Sequence, residues 1–160
     1  MLDGPDVASA LTTAGITHVV WIPDSDLGRW DEALSREPAL TLVRVCREAE
    51  AFAVAAGLWL GGKRPIVMLQ CTGLFDAGDA LRNVLHDMGL PLPVLVGVRN
   101  ARAHRRGQTA DTCPRFTGPI VSAWGLPTFE IDEGQPSPSL AAALEQYESS
   151  SGPLVILYPE

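Results

Sequence analysis

The sequence contains only three cysteines, Cys46, Cys71 and Cys113, in a chain of 160 residues. The number is odd and no two of them have the Cys-x-x-Cys spacing, which excludes a disulfide framework and gives no indication of a zinc site. So few unpaired thiols fit a reducing compartment, and we expect a cytoplasmic protein.

Two further absences limit the possible partners. The N-terminal residues Met1 to Asp6 lack the basic segment and apolar core of a signal peptide, and no apolar run is long enough to span a bilayer. Positive charge is also scarce: the formal net charge is −7, so nucleic acid and anionic membranes would be repelled. We therefore expect no nucleic-acid partner and no membrane partner.

What the sequence does contain is a high apolar fraction, with 46% hydrophobic and 19% charged residues. This composition excludes disorder, and the length suits a single domain over residues 1–160. Apolar strands alternate with amphipathic segments along the whole chain, which predicts right-handed crossovers and an α/β fold. We expect a three-layer α/β/α sandwich around a six-stranded parallel sheet, with strands at 18–22, 40–45, 65–70, 92–98, 127–131 and 154–158.

Ligands of such folds bind at the carboxyl ends of the strands. Four polar or turn-forming segments directly follow predicted strands: the turn at Pro23, Glu48, the turn from Gln70 to Leu74, and Arg99. We therefore expect these segments to gather at one edge of the sheet. The stretch from Arg99 to Gly118 has no periodicity and is predicted to be a long functional loop, followed by a short helix at 119–124.

Glu48 is the principal candidate for chemistry. It precedes a small-residue helix in which Phe52, Ala55, Ala56 and Trp59 share one face, so that helix should pack closely on the sheet. The helix dipole favours a carboxylate at the first turn, whereas a position just past a buried strand limits its access to water. The alternative is a carboxylate that only stabilises the helix start, and Glu50 is the neighbouring competitor for any role in catalysis.

A phosphate-binding loop is suggested by the spacing from Gly57 to Lys63, which spells Gly-x-x-x-x-Gly-Lys. The next residue is Arg64 rather than serine or threonine, and the glycines end a helix instead of preceding one. Gly61 and Gly62 are better explained as a helix C-cap and turn.

Glu48, the alanine-rich helix and the Gln70 to Leu74 turn resemble the pyrimidine-binding domain of thiamine-diphosphate-dependent 2-oxoacid decarboxylases. The segment from Val19 to Leu27 and the strand from Pro93 fit in the same order. The likeness is greatest to sulfopyruvate decarboxylase alpha subunits and the corresponding half of phosphonopyruvate decarboxylases. The resemblance implies that Glu48 is the catalytic acid, hydrogen-bonded to the pyrimidine ring nitrogen of thiamine diphosphate. It also implies cofactor contacts from Glu48, Pro23, Gln70, Cys71, Thr72, Gly73 and Leu74.

The turn after the third strand departs from the family pattern, which usually reads Asn-Ser-Gly-Leu-Gly-Asn. Here Cys71, Thr72, Phe75 and Asp76 differ. The cofactor role survives this change more easily than the substrate assignment does.

An anionic 2-oxoacid substrate would need cationic partners. The sequence offers a basic cluster in Arg99, Arg102, His104, Arg105 and Arg106, and the planar guanidinium suits carboxylate, sulfonate or phosphonate groups. The resemblance implies substrate contacts from Asp24, Ser25, Arg99 and Arg102. A solvated loop is the alternative reading of the cluster.

The Gly-Asp-Gly motif, followed some way on by Asn, marks the diphosphate- and magnesium-binding domain of this family and is missing here. The nearest match, Gly78-Asp79-Ala80, lacks the second glycine and falls in a predicted helix. The resemblance therefore implies no metal ligand in this chain, and a separate beta subunit that binds Mg²⁺ and the diphosphate. Alternatives are a carboligase subunit, a non-catalytic module of the same fold, and a flavodoxin-like nucleotide-binding domain.

Overall fold

The computed structural model describes residues 1–160 and contains eight helices and six strands. The helices are α1 (Gly4–Thr13), α2 (Asp31–Arg36), α3 (Glu48–Leu60), α4 (Cys71–Asp76), α5 (Gly78–Arg82), α6 (Ala101–Arg105), α7 (Cys113–Ala123) and α8 (Pro136–Ser149). The strands are β1 (His18–Trp21), β2 (Thr41–Arg44), β3 (Pro65–Gln70), β4 (Pro93–Val98), β5 (Thr128–Glu130) and β6 (Leu154–Pro159). A 3-10 turn (Leu27–Trp30) precedes α2, and a π-helical turn (Asn83–Asp87) extends α5.

All six strands are parallel and lie in the order β2-β1-β3-β4-β6-β5. The central strands β3 and β4 are buried along almost their whole length, as apolar strands covered on both faces should be. The edge strands β2 and β5 are more exposed and more polar. The predicted three-layer fold with a six-stranded parallel sheet is confirmed.

Two apolar cores lie on opposite faces of the sheet. One core packs α1, α2 and α8 against alternate strand residues that include Trp21, Met68 and Leu95. The other packs α3, α4, α5 and α7 against the intervening residues, such as Val20, Leu69 and Val96. Phe52, Ala55 and Ala56 are buried on the predicted face of α3, and Trp59 packs at its margin.

Strand β2 lies on one side of β1, whereas β3 and all later strands lie on the other side. The strand order therefore reverses between β1 and β3. At such a switch point the two following segments diverge to opposite faces and leave a crevice at the carboxyl ends of the strands. The Asp24 segment after β1 and the Gln70 segment after β3 flank this crevice.

The prediction of one long loop from Arg99 to Gly118 is wrong, because this stretch contains α6 and the first half of α7. Asn100 adopts a left-handed conformation (φ 57°) that turns the chain into α6. Asp111 then accepts a hydrogen bond from the Cys113 N–H (2.9 Å), and Pro114 occupies the first turn of α7. The short helix predicted at 119–124 is therefore the end of a longer one.

Smaller corrections concern element ends. Asp3 caps α1, since its carboxylate accepts the Asp6 N–H (2.9 Å). The residues from Cys71 to Gly73 form the first turn of α4 instead of an irregular turn. Met88 lies beyond the π-helical turn and is exposed, whereas Leu81 is buried. Helix α8 begins at Pro136, soon after the end of β5.

Candidate functional site

Glu48 is the first residue of α3 and directly follows the turn after β2. Its half-buried side chain lies across the backbone of Gly73 in α4. A Cβ atom at Gly73 would lie 2.5 Å from the Glu48 carboxyl carbon, so any other residue at position 73 would displace this side chain. The first turns of α3 and α4 thus meet at Glu48.

Glu50, the competing carboxylate, has a different task. Its Oε2 accepts a hydrogen bond from the backbone N–H of Cys46 (3.0 Å), which ties the turn before α3 to the helix. A carboxylate in the first turn that accepts an N–H from the preceding residues is typical of a helix N-terminus. Glu50 is therefore occupied by local structure, whereas none of the side-chain hydrogen bonds in the chain uses Glu48.

The segment from Gln70 to Leu74 divides into buried and accessible residues. Cys71, Gly73 and Leu74 are buried, with the Cys71 and Leu74 side chains in the core. Thr72 is exposed and its hydroxyl donates to Gln70 Oε1 (3.2 Å). Gln70 and Thr72 therefore offer polar atoms to a ligand, while Gly73 contributes by its lack of a side chain.

The segment after β1 presents Pro23 and Ser25 at the surface and holds Asp24 between them, half-buried. Asp24 Oδ1 accepts hydrogen bonds from the N–H groups of Asp26 (2.7 Å) and Leu27 (2.8 Å). These bonds fix the carboxylate at the start of the 3-10 turn. Its second oxygen, Oδ2, is buried and has no hydrogen-bond partner.

Arg99 follows β4 as predicted, but it is committed to an acidic residue of its own chain. Its Nε donates to Asp111 Oδ2 (2.8 Å), and the Asn100 amide donates to the same oxygen (2.9 Å). These bonds, led by that from the Cys113 N–H, hold the pKa of Asp111 well below its usual range. Burial, followed by the neighbouring Asp111, raises the pKa of the Cys113 thiol to about 11.

The remaining arginines of the basic cluster differ in their surroundings. Arg105 pairs with Glu130 and Glu133, whereas Arg106 is exposed and forms no ion pair with another residue of the chain. Arg102 has the least exposed side chain of the ion-paired arginines. Its guanidinium lies 5.9 Å from the centre of the Tyr158 ring, within the range of a cation–π contact. Its Nε is buried and lacks a well-formed hydrogen bond, with Glu133 Oε2 at 3.4 Å.

Two residues at this edge were missed from the sequence, Asp111 and Glu160. Asp111 stands two residues before Cys113 and three before Pro114, a spacing typical of a residue that initiates a helix. Glu160 directly follows β6, and the rule that selected Glu48 at a strand end would have selected it too. Its carboxyl oxygens are buried and unpartnered, like Asp24 Oδ2.

The structure contains no group of three or more His, Cys, Asp or Glu side chains arranged to hold a metal ion. None of its helices combines the length and apolar character needed to cross a membrane.

These features define a class of protein: a parallel α/β domain that presents a carboxylate at the carboxyl edge of its sheet, above a glycine that leaves room for that carboxylate. A carboxylate at a helix start, free of internal hydrogen bonds, fits the ring nitrogen of a heterocyclic cofactor. The family model described as "Thiamine pyrophosphate enzyme, N-terminal TPP binding domain" matches residues 4–116. The chain belongs to this family, whose cofactor, thiamine pyrophosphate, is also called thiamine diphosphate.

Among curated relatives, the phosphonopyruvate decarboxylase of Streptomyces viridochromogenes is 30% identical over 137 residues, which cover 83% of this chain and 34% of the relative. That of Streptomyces hygroscopicus is 34% identical over 120 residues, covering 75% of this chain and 30% of the relative. The chain thus spans about a third of the length of these two relatives. The sulfopyruvate decarboxylase subunit alpha of Methanothermobacter thermautotrophicus is 31% identical over 121 residues, covering 76% of this chain and 73% of that subunit.

Proposed function

We propose that this chain is the pyrimidine-binding subunit of a two-component, thiamine-diphosphate-dependent decarboxylase of an anionic 2-oxoacid. The observation that carries the proposal is the placement of Glu48 across Gly73, free of internal hydrogen bonds, at the carboxyl edge of the sheet. The names of the relatives, sulfopyruvate and phosphonopyruvate decarboxylases, support the reaction class.

When bound, thiamine diphosphate supplies the electron sink that 2-oxoacid decarboxylation needs. The role proposed for this chain is to hold and orient the pyrimidine ring of the cofactor. Glu48 would hold a proton facing a pyrimidine ring nitrogen, and Gly73 leaves room for the Glu48 side chain. Gln70, Thr72 and Pro23 offer further contacts around it, while Cys71 and Leu74 shape the surface from beneath.

The substrate proposed is a 2-oxoacid that carries a second anionic group. Arg102 is the cation best suited to that group, because it is partly shielded from water and its Nε has no well-formed hydrogen bond. Arg99 is less suited, because Asp111 already balances its charge. Asp24 and Ser25 stand at the crevice beside β3 and are proposed to contact the reacting end of the substrate.

A partner subunit is proposed to bind the diphosphate and Mg²⁺. These 160 residues contain no Gly-Asp-Gly motif followed by Asn, and three relatives carry the name subunit alpha. Three free cysteines suit the reducing cytoplasm, where we place the complex.

The test is a pair of matched variants, Glu48→Gln and Glu50→Gln, assayed for CO2 release in the complex with the partner. Glu48→Gln should fold normally and lower kcat by about a hundredfold or more, because an amide cannot hold and return a proton. Glu50→Gln should stay within a few-fold of the wild type, because an amide oxygen can still accept the Cys46 N–H. The proposal fails if Glu48→Gln keeps near-normal turnover while Glu50→Gln is inactive.

A further inference from the structure

Glu160 extends β6 by one residue and is fixed in place by its backbone. Its N–H donates to the Val98 carbonyl (3.2 Å), and its carbonyl accepts the Arg102 N–H (3.1 Å). The side chain crosses Gly97 of β4, where a Cβ atom would lie 2.8 Å from the Glu160 carboxyl carbon. A side chain at position 97 would therefore displace this carboxyl, just as one at position 73 would displace Glu48.

The Glu160 carboxyl is removed from water without compensation. Both of its oxygens are buried and neither makes a well-formed hydrogen bond, although the Gln70 side chain lies beside them. Asp24 also has a buried oxygen without a partner. Burying two unpaired carboxylates near each other is costly, and the cost falls sharply when one of them is protonated.

Charged groups from the surrounding segments act on Glu160 in opposite directions. Burial, then the charges of Asp24 and Asp26, raise the pKa of Glu160 to about 8, while Gln70 and Arg29 oppose this rise. From α6, Arg102 directs its guanidinium toward Glu133 and the Tyr158 ring. At neutral pH Glu160 is therefore protonated for most of the time.

Decarboxylation of a 2-oxoacid consumes one proton in each turnover. The anion RCOCOO⁻ and H⁺ give RCHO and CO2: the bond between the two carbonyl carbons breaks, and its electron pair is protonated at the carbon that remains. Asp24 lies at the crevice where the proposed substrate binds.

We propose that Glu160 stores the proton that this reaction consumes and delivers it through Asp24. Asp24 passes a proton to the substrate carbon, Glu160 reprotonates Asp24, and solvent restores Glu160. Glu160 is thus a positioning residue that acts through Asp24 rather than on the substrate. The inference rests on the proposed function.

The first test does not depend on activity: a carboxyl-carbon NMR titration of the full chain, with the Glu160 signal assigned by its absence in Glu160→Gln. The midpoint for Glu160 should lie above pH 7 and should fall by about half a unit or more in Asp24→Asn, because a neighbouring negative charge is removed. A midpoint near the ordinary value of about 4.3, or one that Asp24→Asn leaves unchanged, would overturn the proton store at Glu160.

The second test is the pH dependence of CO2 release by the complex with the partner subunit. Glu160→Gln should lower kcat about ten- to a hundredfold with little change in KM, and Glu160→Asp should restore part of it. Glu145→Gln, at an exposed site on α8, is the control and should match the wild type. An unchanged kcat and pH profile in Glu160→Gln would refute the proton store. If the complex with the wild-type chain released no CO2, the proposed function would be refuted, and with it the delivery of the proton to a substrate. The NMR titration would still decide whether Glu160 holds a proton above pH 7 and responds to the charge of Asp24.

Discussion

At the scale of single residues, the two carboxyls of this edge are each matched to a glycine. Glu48 crosses Gly73, and Glu160 crosses Gly97. Each glutamate side chain occupies space that is open because the residue beneath it is glycine. The sequence could indicate Glu48, because a carboxylate after a strand and before a small-residue helix is a local pattern. It could not indicate the partner glycine, since the contact joins residues 25 positions apart.

Gly73→Ala should disable the site without unfolding the domain. The added methyl group would lie too close to the Glu48 carboxyl. The half-buried Glu48 side chain can rotate away from it at small cost to stability. We expect CO2 release to fall at least about tenfold in the complex, with the melting temperature within a few degrees of the wild type. Gly57→Ala is the matched control, because a Cβ there meets no atom within 4 Å and alanine favours the helix. Equal activity of the two variants would contradict the Glu48 placement.

Arg102→Ala should separate acidic from neutral substrates. A charge-assisted contact contributes roughly 1.5–3 kcal/mol, so kcat/KM for sulfopyruvate or phosphonopyruvate should fall about ten- to a hundredfold. The value for pyruvate should change far less. Arg106→Ala, which removes an exposed and unpaired arginine, is the control. If Arg102→Ala impaired both kinds of substrate equally, the arginine would have a structural role or face the partner subunit.

At the scale of elements, the stretch after β4 shows where sequence patterns are insufficient. Helix α6 is short, and the only buried residues of α6 and α7 are Ala101, Thr117 and Val121. Their positions depend on side-chain bonds to Asp111 from Arg99 and Asn100, which join residues 11 and 12 positions apart. Periodicity cannot detect such a contact. In contrast, β3 and β4 were predicted to within one residue, because each is a continuous apolar run bounded by turn residues.

The Asp111 cluster should make stability depend on acid pH. The folded pKa of Asp111 is lowered, so its contribution is fully present above the unfolded value of about 3.9 and is lost as pH falls toward the lower folded value. Asp111→Asn should lower the free energy of unfolding by about 1.5–3 kcal/mol at pH 7, and by a smaller amount near pH 3. Urea unfolding at both pH values measures this difference. Asp79→Asn, which alters an exposed ion pair, should show little change at either pH; a similar loss in both variants would contradict a special role for Asp111.

At the scale of the whole molecule, the strand order explains why the predicted site residues meet. The reversal between β1 and β3 places the Asp24 and Gln70 segments on either side of one crevice, and the parallel strands bring β4 and β6 to the same edge. The alternation of strands and helices sufficed to predict this architecture. It could not predict that the substrate candidates among the arginines would be partly neutralised by acids from distant segments, as Arg99 is by Asp111 and Arg105 by Glu130.

The central claim is that this chain supplies half of an active site. The most direct measurement is CO2 release from sulfopyruvate and phosphonopyruvate by the purified chain, by a purified diphosphate-binding subunit, and by both together, with thiamine diphosphate and Mg²⁺ present throughout. We expect neither protein alone to release CO2 above background, and the mixture to do so in proportion to added chain until the partner is saturated. Release by the chain alone, or release by the partner that the chain does not increase, would contradict the claim.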